Sequence, residues 1–286
     1  MGDGASRLGN TVAKRYVIRE VIGDGGQSIV YSAAELATGR ELAIKILKPE
    51  SRDPNSIERL RREYEAMSTL TGTAALKVYD CCETDDGALC IVMERLHGLD
   101  FDDYLTGLKR LDIKLTPADL VALLTPVVET VHAAHLRGIV HRDLKPGNIF
   151  VLSPATGGGV RVLDFGFAKF RDKRKLTAEG TIAGSPSYLA PEGWRGATEL
   201  TPAFDVYSFS AIVFQALTGR TPFDASNLMA LLQAVTQGPR PSLLALRPDL
   251  PGDLDAWLEL ALAADPTQRF QNMPAAWNAF RSLSGC

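Results

Sequence analysis

His141-Arg142-Asp143-Leu144-Lys145-Pro146-Gly147-Asn148, followed sixteen residues later by Asp164-Phe165-Gly166, is the stretch on which the reading of this chain turns. It gathers two carboxylates, an ammonium and a carboxamide into a short span. Such groups can hold magnesium ions and the phosphates of a nucleotide, and can receive a proton from an alcohol. Asp143 is the candidate base for that proton. Asn148 and Asp164 offer the hard oxygen donors that magnesium prefers. Lys145 would neutralise charge on a γ-phosphate during transfer. A lone Asp-Phe-Gly occurs in many proteins, whereas the combination at this spacing does not.

Upstream lies a second set of phosphate-handling features. Gly23-Asp24-Gly25-Gly26-Gln27-Ser28 falls between two extended segments, which suits a hairpin lid whose backbone amides cover phosphates. Ser28 stands where a third glycine of the Gly-x-Gly-x-x-Gly pattern would be. Lys45 lies inside the apolar run Ala43-Ile44-Lys45-Ile46, a poor place for a lysine unless it faces water or a partner. Glu63 sits between Leu60 and Met67 at helical i+3 and i−4 spacing, on the apolar stripe of a helix. A carboxylate facing inward needs a cation, and Lys45 is the natural one. The pair would direct Lys45 toward the α- and β-phosphates.

Around these motifs the hydrophobic pattern divides in two. Tyr16–Ile22, Ile29–Leu36 and Glu41–Leu47 read as strands, and Asp53-Pro54-Asn55-Ser56 opens a helix carrying Ile57, Leu60, Tyr64 and Met67. Two more strands are expected near Ala75–Cys82 and Ala88–Met93, joined by Asp85-Asp86-Gly87. Beyond His97-Gly98 the period becomes helical, at Pro117–Arg137, Pro202–Thr218, Leu228–Gln237 and Asp253–Ala263. Ser153–Gly159 reads as a surface hairpin. The expected fold class is therefore α+β: a small β-rich lobe with one helix, and a larger helical lobe, with a cleft between them as the natural ligand site.

The chain has 286 residues, 45% hydrophobic and 23% charged, with a net charge of −3. That balance gives no reason to expect nucleic acid or an anionic membrane as a partner. Cys81, Cys82, Cys90 and Cys286 lack Cys-x-x-Cys spacing and read as reduced thiols of a cytoplasmic protein. No apolar run is long enough to span a bilayer, and the polar, Gly-rich start does not resemble a signal peptide. Met1-Gly2-Asp3-Gly4-Ala5-Ser6 fits the loose myristoylation pattern, but residues 1–15 read more simply as a flexible tail. His132 and His135 are spaced i, i+3 without further ligands, so packing or surface placement is expected of them. His141 reads as structural support for Asp143.

Together these motifs resemble the eukaryotic-like (Hanks-type) Ser/Thr protein kinases, in their bacterial branch. The resemblance runs from about Tyr16 to Leu283 and includes Ala190-Pro191-Glu192, Asp205-Val206-Tyr207-Ser208 and Arg269. It implies the bilobal protein-kinase fold, with an N-lobe over about 16–96, a C-lobe over about 97–283, and ATP in the cleft. It also implies transfer of the γ-phosphoryl of ATP to protein Ser/Thr hydroxyls, with Mg2+, or alternatively Mn2+, as the ion. Under it, Ile22, Gly23, Gly25 and Val30 cover the nucleotide, and Ala43 and Phe150 sandwich adenine with Val30. Met93 becomes the gatekeeper, the backbone of Glu94 and Leu96 reads the base edge, and Asp100 lies near the ribose. Glu192 pairs with Arg269, Asp205 braces the catalytic loop, and Tyr79, Met67, Phe165 and His141 form a hydrophobic spine. Thr181, with Thr177 as a second candidate, is the expected activation-loop phosphosite, and Arg142 its expected partner, with Lys169 as a helper. Ser185 and Gln215 depart from common family residues, and the loss of charge at Gln215 weakens any expectation of arginine-directed specificity.

Two other readings compete. A pseudokinase-type nucleotide-binding interaction module usually lacks a residue of the Lys45, Asp143 or Asp164 type, and none is missing here. A small-molecule phosphotransferase of related fold is disfavoured by Ala190-Pro191-Glu192 and the long segment before it. The expected partners are protein substrates, with regulatory proteins or self-association as further possibilities, and neither nucleic acid nor membrane.

Overall fold

The computed structural model describes residues 7–165 and 186–285. The chain divides into two compact units, Met1–His97 and Gly98–Cys286. The first unit is built on an antiparallel sheet of six strands: β1 (Thr11–Val12), β2 (Tyr16–Asp24), β3 (Ser28–Glu35), β4 (Glu41–Leu47), β5 (Val78–Glu83) and β6 (Leu89–Glu94). Their spatial order is β1-β2-β3-β4-β6-β5. Helix α1 (Pro54–Thr69) packs beside β5 and β6. It starts where the sequence signals it, with the Asp53 carboxylate accepting the amides of Asn55 and Ser56 and Pro54 in the first turn.

Strand periodicity decides which face each side chain takes. Ile29, Tyr31 and Ala33 of β3, Leu42, Ile44 and Ile46 of β4, and Cys90 and Val92 of β6 form one buried cluster with Val12, Tyr16 and Ile18. The alternate residues, Val30, Ala43, Lys45 and Met93 among them, therefore occupy the opposite face, where α1 lies.

Two expectations fail in this unit. Residues 7–15 are not a free tail: Thr11 pairs with Val17 and Val12 with Tyr16, and Val12 is buried in the sheet's core. Arg7 also forks onto the Asp86 carboxylate at 3.0 and 2.6 Å. A two-residue strand is too short to display a period, which is why alternation did not reveal it. Tyr79, expected in a hydrophobic spine, is exposed instead, with the Arg40 guanidinium 4.1 Å from its ring centroid. An aromatic face under a cation is well satisfied at a surface. Met67, Phe165 and His141 are all buried.

The second unit opens with β7 (Gly98–Asp100), too short for a period, and α2 (Phe101–Arg110), whose Phe101, Tyr104, Leu105 and Leu108 recur at helical spacing without being among the expected helices, and continues with α3 (Pro117–His135). Strands β8 (Ile149–Leu152) and β9 (Val160–Val162) join β7 in the order β7-β8-β9. The connection between β8 and β9 is the expected surface turn, closed by Gly157, Gly158 and Gly159 at positive φ. Five helices follow among the described residues: α4 (Pro191–Arg195), α5 (Pro202–Thr218), α6 (Leu228–Gln237), α7 (Leu254–Ala261) and α8 (Met273–Ser284). Helix α5 begins at a proline and ends at Gly219 in the left-handed region, as its sequence dictates. It is apolar on all sides and buried almost throughout, the mark of a central core helix. Phe209 of α5 meets Trp277 of α8 edge-on at 5.3 Å, and Trp277 stacks on Phe280. The Trp277 indole N–H donates to Thr125 Oγ1 of α3 at 3.0 Å, so the aromatic core is also hydrogen-bonded. No helix among the described residues is long and apolar enough to cross a membrane.

Candidate active site

In the first unit the Lys45 Nζ lies 2.6 Å from Glu63 Oε1, and each side chain is only 15% exposed. The sheet places Lys45 between Val30 of β3 and Ile91 of β6, on the face toward α1. Helix periodicity brings Glu63 to that face with Leu60 and Met67, both buried. A charge-assisted bond at this depth holds two long side chains in one arrangement. Ala43 stands opposite Met93, and Leu42 opposite Glu94. The Glu94 side chain accepts from the Lys77 amide at 2.8 Å, which fixes the end of β6 just before Leu96.

The Gly-rich turn joins β2 and β3. Gly23 is in register with Val30, and the ladder shifts between Val21 and Gly23, at Ile22. The Gly25 amide donates to Ser28 C=O at 3.0 Å, and a Cβ on Gly25 would meet that oxygen at 3.3 Å. The turn is tight enough to favour glycine at this position. Sequence reasoning missed the residue that ties the turn down. Lys48 Nζ pairs with Asp24 Oδ1 at 2.7 Å, and the Lys48 amide donates to Gln27 C=O at 3.0 Å.

In the second unit Asp143 is held by its neighbours. Its Oδ2 accepts from Lys145 Nζ at 3.0 Å and from Asn148 Nδ2 at 2.9 Å, and its carbonyl accepts from the same amide nitrogen at 2.7 Å. With its nitrogen so engaged, Asn148 has its side-chain carbonyl oxygen as the atom suited to a cation. The Asn148 C=O accepts from the Leu163 amide, which carries the chain into Asp164. Asp164 adopts φ 38°, uncommon for a residue with a side chain. Asn148 and Asp164 together offer neutral and anionic oxygen, a donor set that fits a hard divalent ion bound jointly with phosphate.

Behind this loop lies a buried polar brace. Asp205 of α5 is fully buried; its carboxylate accepts from the backbone amides of His141 at 2.7 Å and Arg142 at 3.0 Å. Oδ2 also lies 2.7 Å from His135 Nε2. Burial pushes the Asp205 carboxyl up, but the His135 hydrogen bond and charge, with the nearby imidazole of His141 and the Arg142 amide, outweigh it and hold it below its ordinary value. These bonds keep Arg142 at φ 68°. His141 is buried, and desolvation lowers its pKa despite the nearby carboxylates. Its neutral ring can donate from Nε2 to Leu163 C=O at 3.0 Å while Nδ1 accepts from the Asp143 amide at 3.4 Å. Phe165 packs against it with ring centroids 4.7 Å apart. His135, expected to pack or to lie at the surface, is instead the side-chain partner of Asp205. The signal was its place four residues after Val131 on the buried stripe of α3.

Further out, Arg269 forks onto Glu192 at 2.8 and 2.7 Å, the pairing that the family resemblance implies. Gln215 of α5 accepts from the Tyr188 hydroxyl and donates to Asp102 Oδ1 at 3.3 Å. The position that lost a charge thus contacts another carboxylate, which single-sequence reading missed. Asp100 caps α2 by accepting from the Asp103 amide at 2.9 Å, and Phe150 of β8 is in register with Asp100. Thr181, Thr177, Lys169 and Ser185 lie outside the described residues.

The profile of the protein kinase domain family matches residues 16–276. The chain is 34% identical over 265 residues to the serine/threonine-protein kinase PrkC of Bacillus subtilis, covering 92% of this chain and 40% of that protein. It is 35% identical over 270 residues to the probable serine/threonine-protein kinase PknB of Corynebacterium glutamicum, covering 91% and 41%. It therefore spans about two fifths of the length of these curated relatives. Among solved structures, the PknI kinase domain of Mycobacterium tuberculosis superposes with a TM-score of 0.74 at 29% identity, covering 96% of this chain and 98% of that one. The fold is thus the α+β bilobal protein-kinase fold.

Proposed function

The chain belongs to the protein kinase domain family, and on that footing we propose that it transfers the γ-phosphoryl group of ATP to serine or threonine hydroxyls of protein substrates. One kinase domain over about 16–283 accounts for the motifs. The observation that carries the reading is the Asp143 carboxylate, fixed by Lys145 and Asn148 at 3.0 and 2.9 Å within a loop braced by Asp205. Catalysis of this kind rests on positioning and charge neutralisation, since phosphoryl transfer needs little covalent participation from protein.

In this reading each residue has one task. Asp143 orients the substrate hydroxyl and accepts its proton as the oxygen attacks in line. Lys145 offsets charge on the group being transferred. Lys45, steered by Glu63, holds the α- and β-phosphates, and the Gly23–Gly25 turn covers them with backbone amides. Asn148 and Asp164 would hold magnesium, whose charge offsets that of the phosphate oxygens. Val30, Ala43 and Phe150 take the base, Glu94 and Leu96 its edge, and Asp100 the ribose. Phosphorylation at Thr181 or Thr177 would add roughly −1.5 to −2 charge for Arg142 to bind, and the Arg142 Nε is buried without a hydrogen-bond partner among the described residues. Dependence on ATP is consistent with a cytoplasmic reaction.

The test is radiolabelled transfer from MgATP to a generic protein acceptor, run beside Asp143→Asn. Wild type should label serine and threonine, and the variant should be slower by about 10²–10⁴-fold. Nucleotide binding without transfer, after activation-loop phosphorylation, would favour a binding module instead. Phosphotyrosine in the product would remove the restriction to Ser/Thr.

A further inference from the structure

Three of the cysteines lie on one hairpin, and two of them touch. Cys82 of β5 and Cys90 of β6 are register partners, with their Sγ atoms 3.3 Å apart. The Thr84 amide donates to Ala88 C=O at 2.9 Å at the end of the same ladder. Antiparallel pairs alternate between hydrogen-bonded and non-hydrogen-bonded types, so Cys82 and Cys90, two steps along each strand, form another hydrogen-bonded pair. Such pairs have Cα atoms about 5.5 Å apart, within the span of a disulfide. A hydrogen-bonded pair holds its Cβ atoms at the wide end of about 4.5–5.5 Å, against about 3.5–4.5 Å in a disulfide, so bond formation needs side-chain rotation and a small approach of the two strands.

We propose that Cys82 and Cys90 are an oxidation site at which a hydroperoxide closes a cross-strand disulfide. The two thiols differ in the way such a reaction requires. Cys82 is partly exposed, while Cys90 is fully buried in the sheet's core. The Cys90 hydrogen bond lowers the Cys82 pKa against the opposing effect of burial, and the same contact, with desolvation, raises that of Cys90. Cys82 is thus the better thiolate and the one a peroxide can reach. Cys81 is adjacent in sequence, but strand alternation turns it to the opposite face, toward α1, and burial raises its pKa.

The chemistry balances in two steps. The Cys82 thiolate attacks one peroxide oxygen, the O–O bond breaks, and the departing hydroxide takes up the thiol proton as water, leaving a sulfenic acid. The Cys90 sulfur then attacks the Cys82 sulfur, the S–O bond breaks, and the departing hydroxide takes the Cys90 proton as a second water. Two thiols lose two electrons and one peroxide gains them. The bond would staple the hairpin whose tip residue, Asp86, binds Arg52 immediately before the cap of α1. The inference rests on the sheet geometry and is independent of the phosphotransfer reading.

The experiment treats the full chain with hydrogen peroxide, alkylates free thiols, and cleaves after glutamate. A cut after Glu83 leaves Cys81 and Cys82 on one fragment and Cys90 on another. Linked fragments are expected after oxidation, persisting in Cys81→Ser and absent after dithiothreitol or in Cys82→Ser. In Cys90→Ser, dimedone should trap a sulfenic acid at Cys82. Linkage in wild type should form at least roughly tenfold faster in the folded chain than in urea, because folding supplies the proximity. A Cys81–Cys82 bond within one fragment, linkage surviving in Cys82→Ser, or equal rates in urea would overturn the proposal.

Discussion

Replacing Glu192 by alanine should destabilise the second unit by about 3–5 kcal/mol, the cost of breaking a buried ion pair from one side. The structure says why the upper class of effect applies. The Arg269 side chain has no exposed surface and that of Glu192 only 12%. The guanidinium also donates to the carbonyls of Ala263 at 2.7 Å and Ala203 at 3.1 Å, and lies 4.9 Å from the Tyr207 ring centroid. Those neutral acceptors orient the cation but cannot cancel its charge once the carboxylate is gone. Tryptophan fluorescence in urea is the assay, because Trp194, Trp257 and Trp277 all belong to the second unit. With an m-value near the upper end for small proteins, about 3 kcal/mol/M, the midpoint should fall by roughly 1–2 M. Glu192→Gln, which keeps one acceptor oxygen, should lose less. A Glu192→Ala loss under about 1 kcal/mol would match an exposed pair and refute the argument from burial.

Three further outcomes are expected. Glu63→Gln removes the charge partner of Lys45, a bond worth about 1.5–3 kcal/mol, so kcat/KM for ATP should drop roughly tenfold to hundredfold with the fold intact; an unchanged value would separate the pair from catalysis. Gly98→Ala places a Cβ 2.0 Å from the Val151 carbonyl oxygen at φ 151°, and the forced shift of β7 from β8 should cost about 1–3 kcal/mol; a variant as heat-stable as wild type would count against that geometry. The pH dependence of Asp205→Asn follows from linkage. A carboxyl whose folded pKa is lowered contributes stability above its unfolded pKa and loses it as pH falls through the folded value. The stability gap between wild type and variant should therefore be widest near neutrality and narrow below about pH 4, and a gap constant from neutrality to strong acid would contradict the brace.

Long periodic segments were legible because their pattern is their burial. The bounds of α5 and α6 agree with the sequence reading, and α1 begins at its predicted cap, because proline, glycine and cap residues act locally. Lys45 and Glu63 could be paired in advance because each was a charge on an otherwise apolar face. Short or polar elements signal more weakly. Thr11–Val12 is too brief for a period. Phe101–Arg110 does carry a stripe, with Phe101, Tyr104, Leu105 and Leu108 at helical spacing, but in a segment only ten residues long and rich in charge it is easily passed over. The same limit explains Lys48 and Asp102, whose partners lie 24 and 113 residues away in sequence. Nothing local distinguishes a surface charge from one that meets a distant partner after folding.

Those distant partners converge on one helix. Near its start, α5 supplies the Asp205 carboxylate to the backbone of His141 and Arg142, and the Ala203 carbonyl to Arg269, which in turn holds Glu192. Near its end, Gln215 touches both Tyr188 and Asp102. Three segments, the loop bearing Asp143, the stretch at Tyr188–Glu192 and the first turn of α2, thus take their positions from a single element. A helix surrounded by core can serve this way because close-packed interiors allow little displacement. Polar groups are costly to bury unless partnered: Ser208 and Ser210 bond to carbonyls of α5 itself, whereas Asp205 and Gln215 each meet partners outside the helix whose place they fix. The apolar surface of α5 and its isolated polar positions are therefore two parts of one device. Packing immobilises the helix, and Asp205, Ala203 and Gln215 convey that rigidity to loops that have little core of their own.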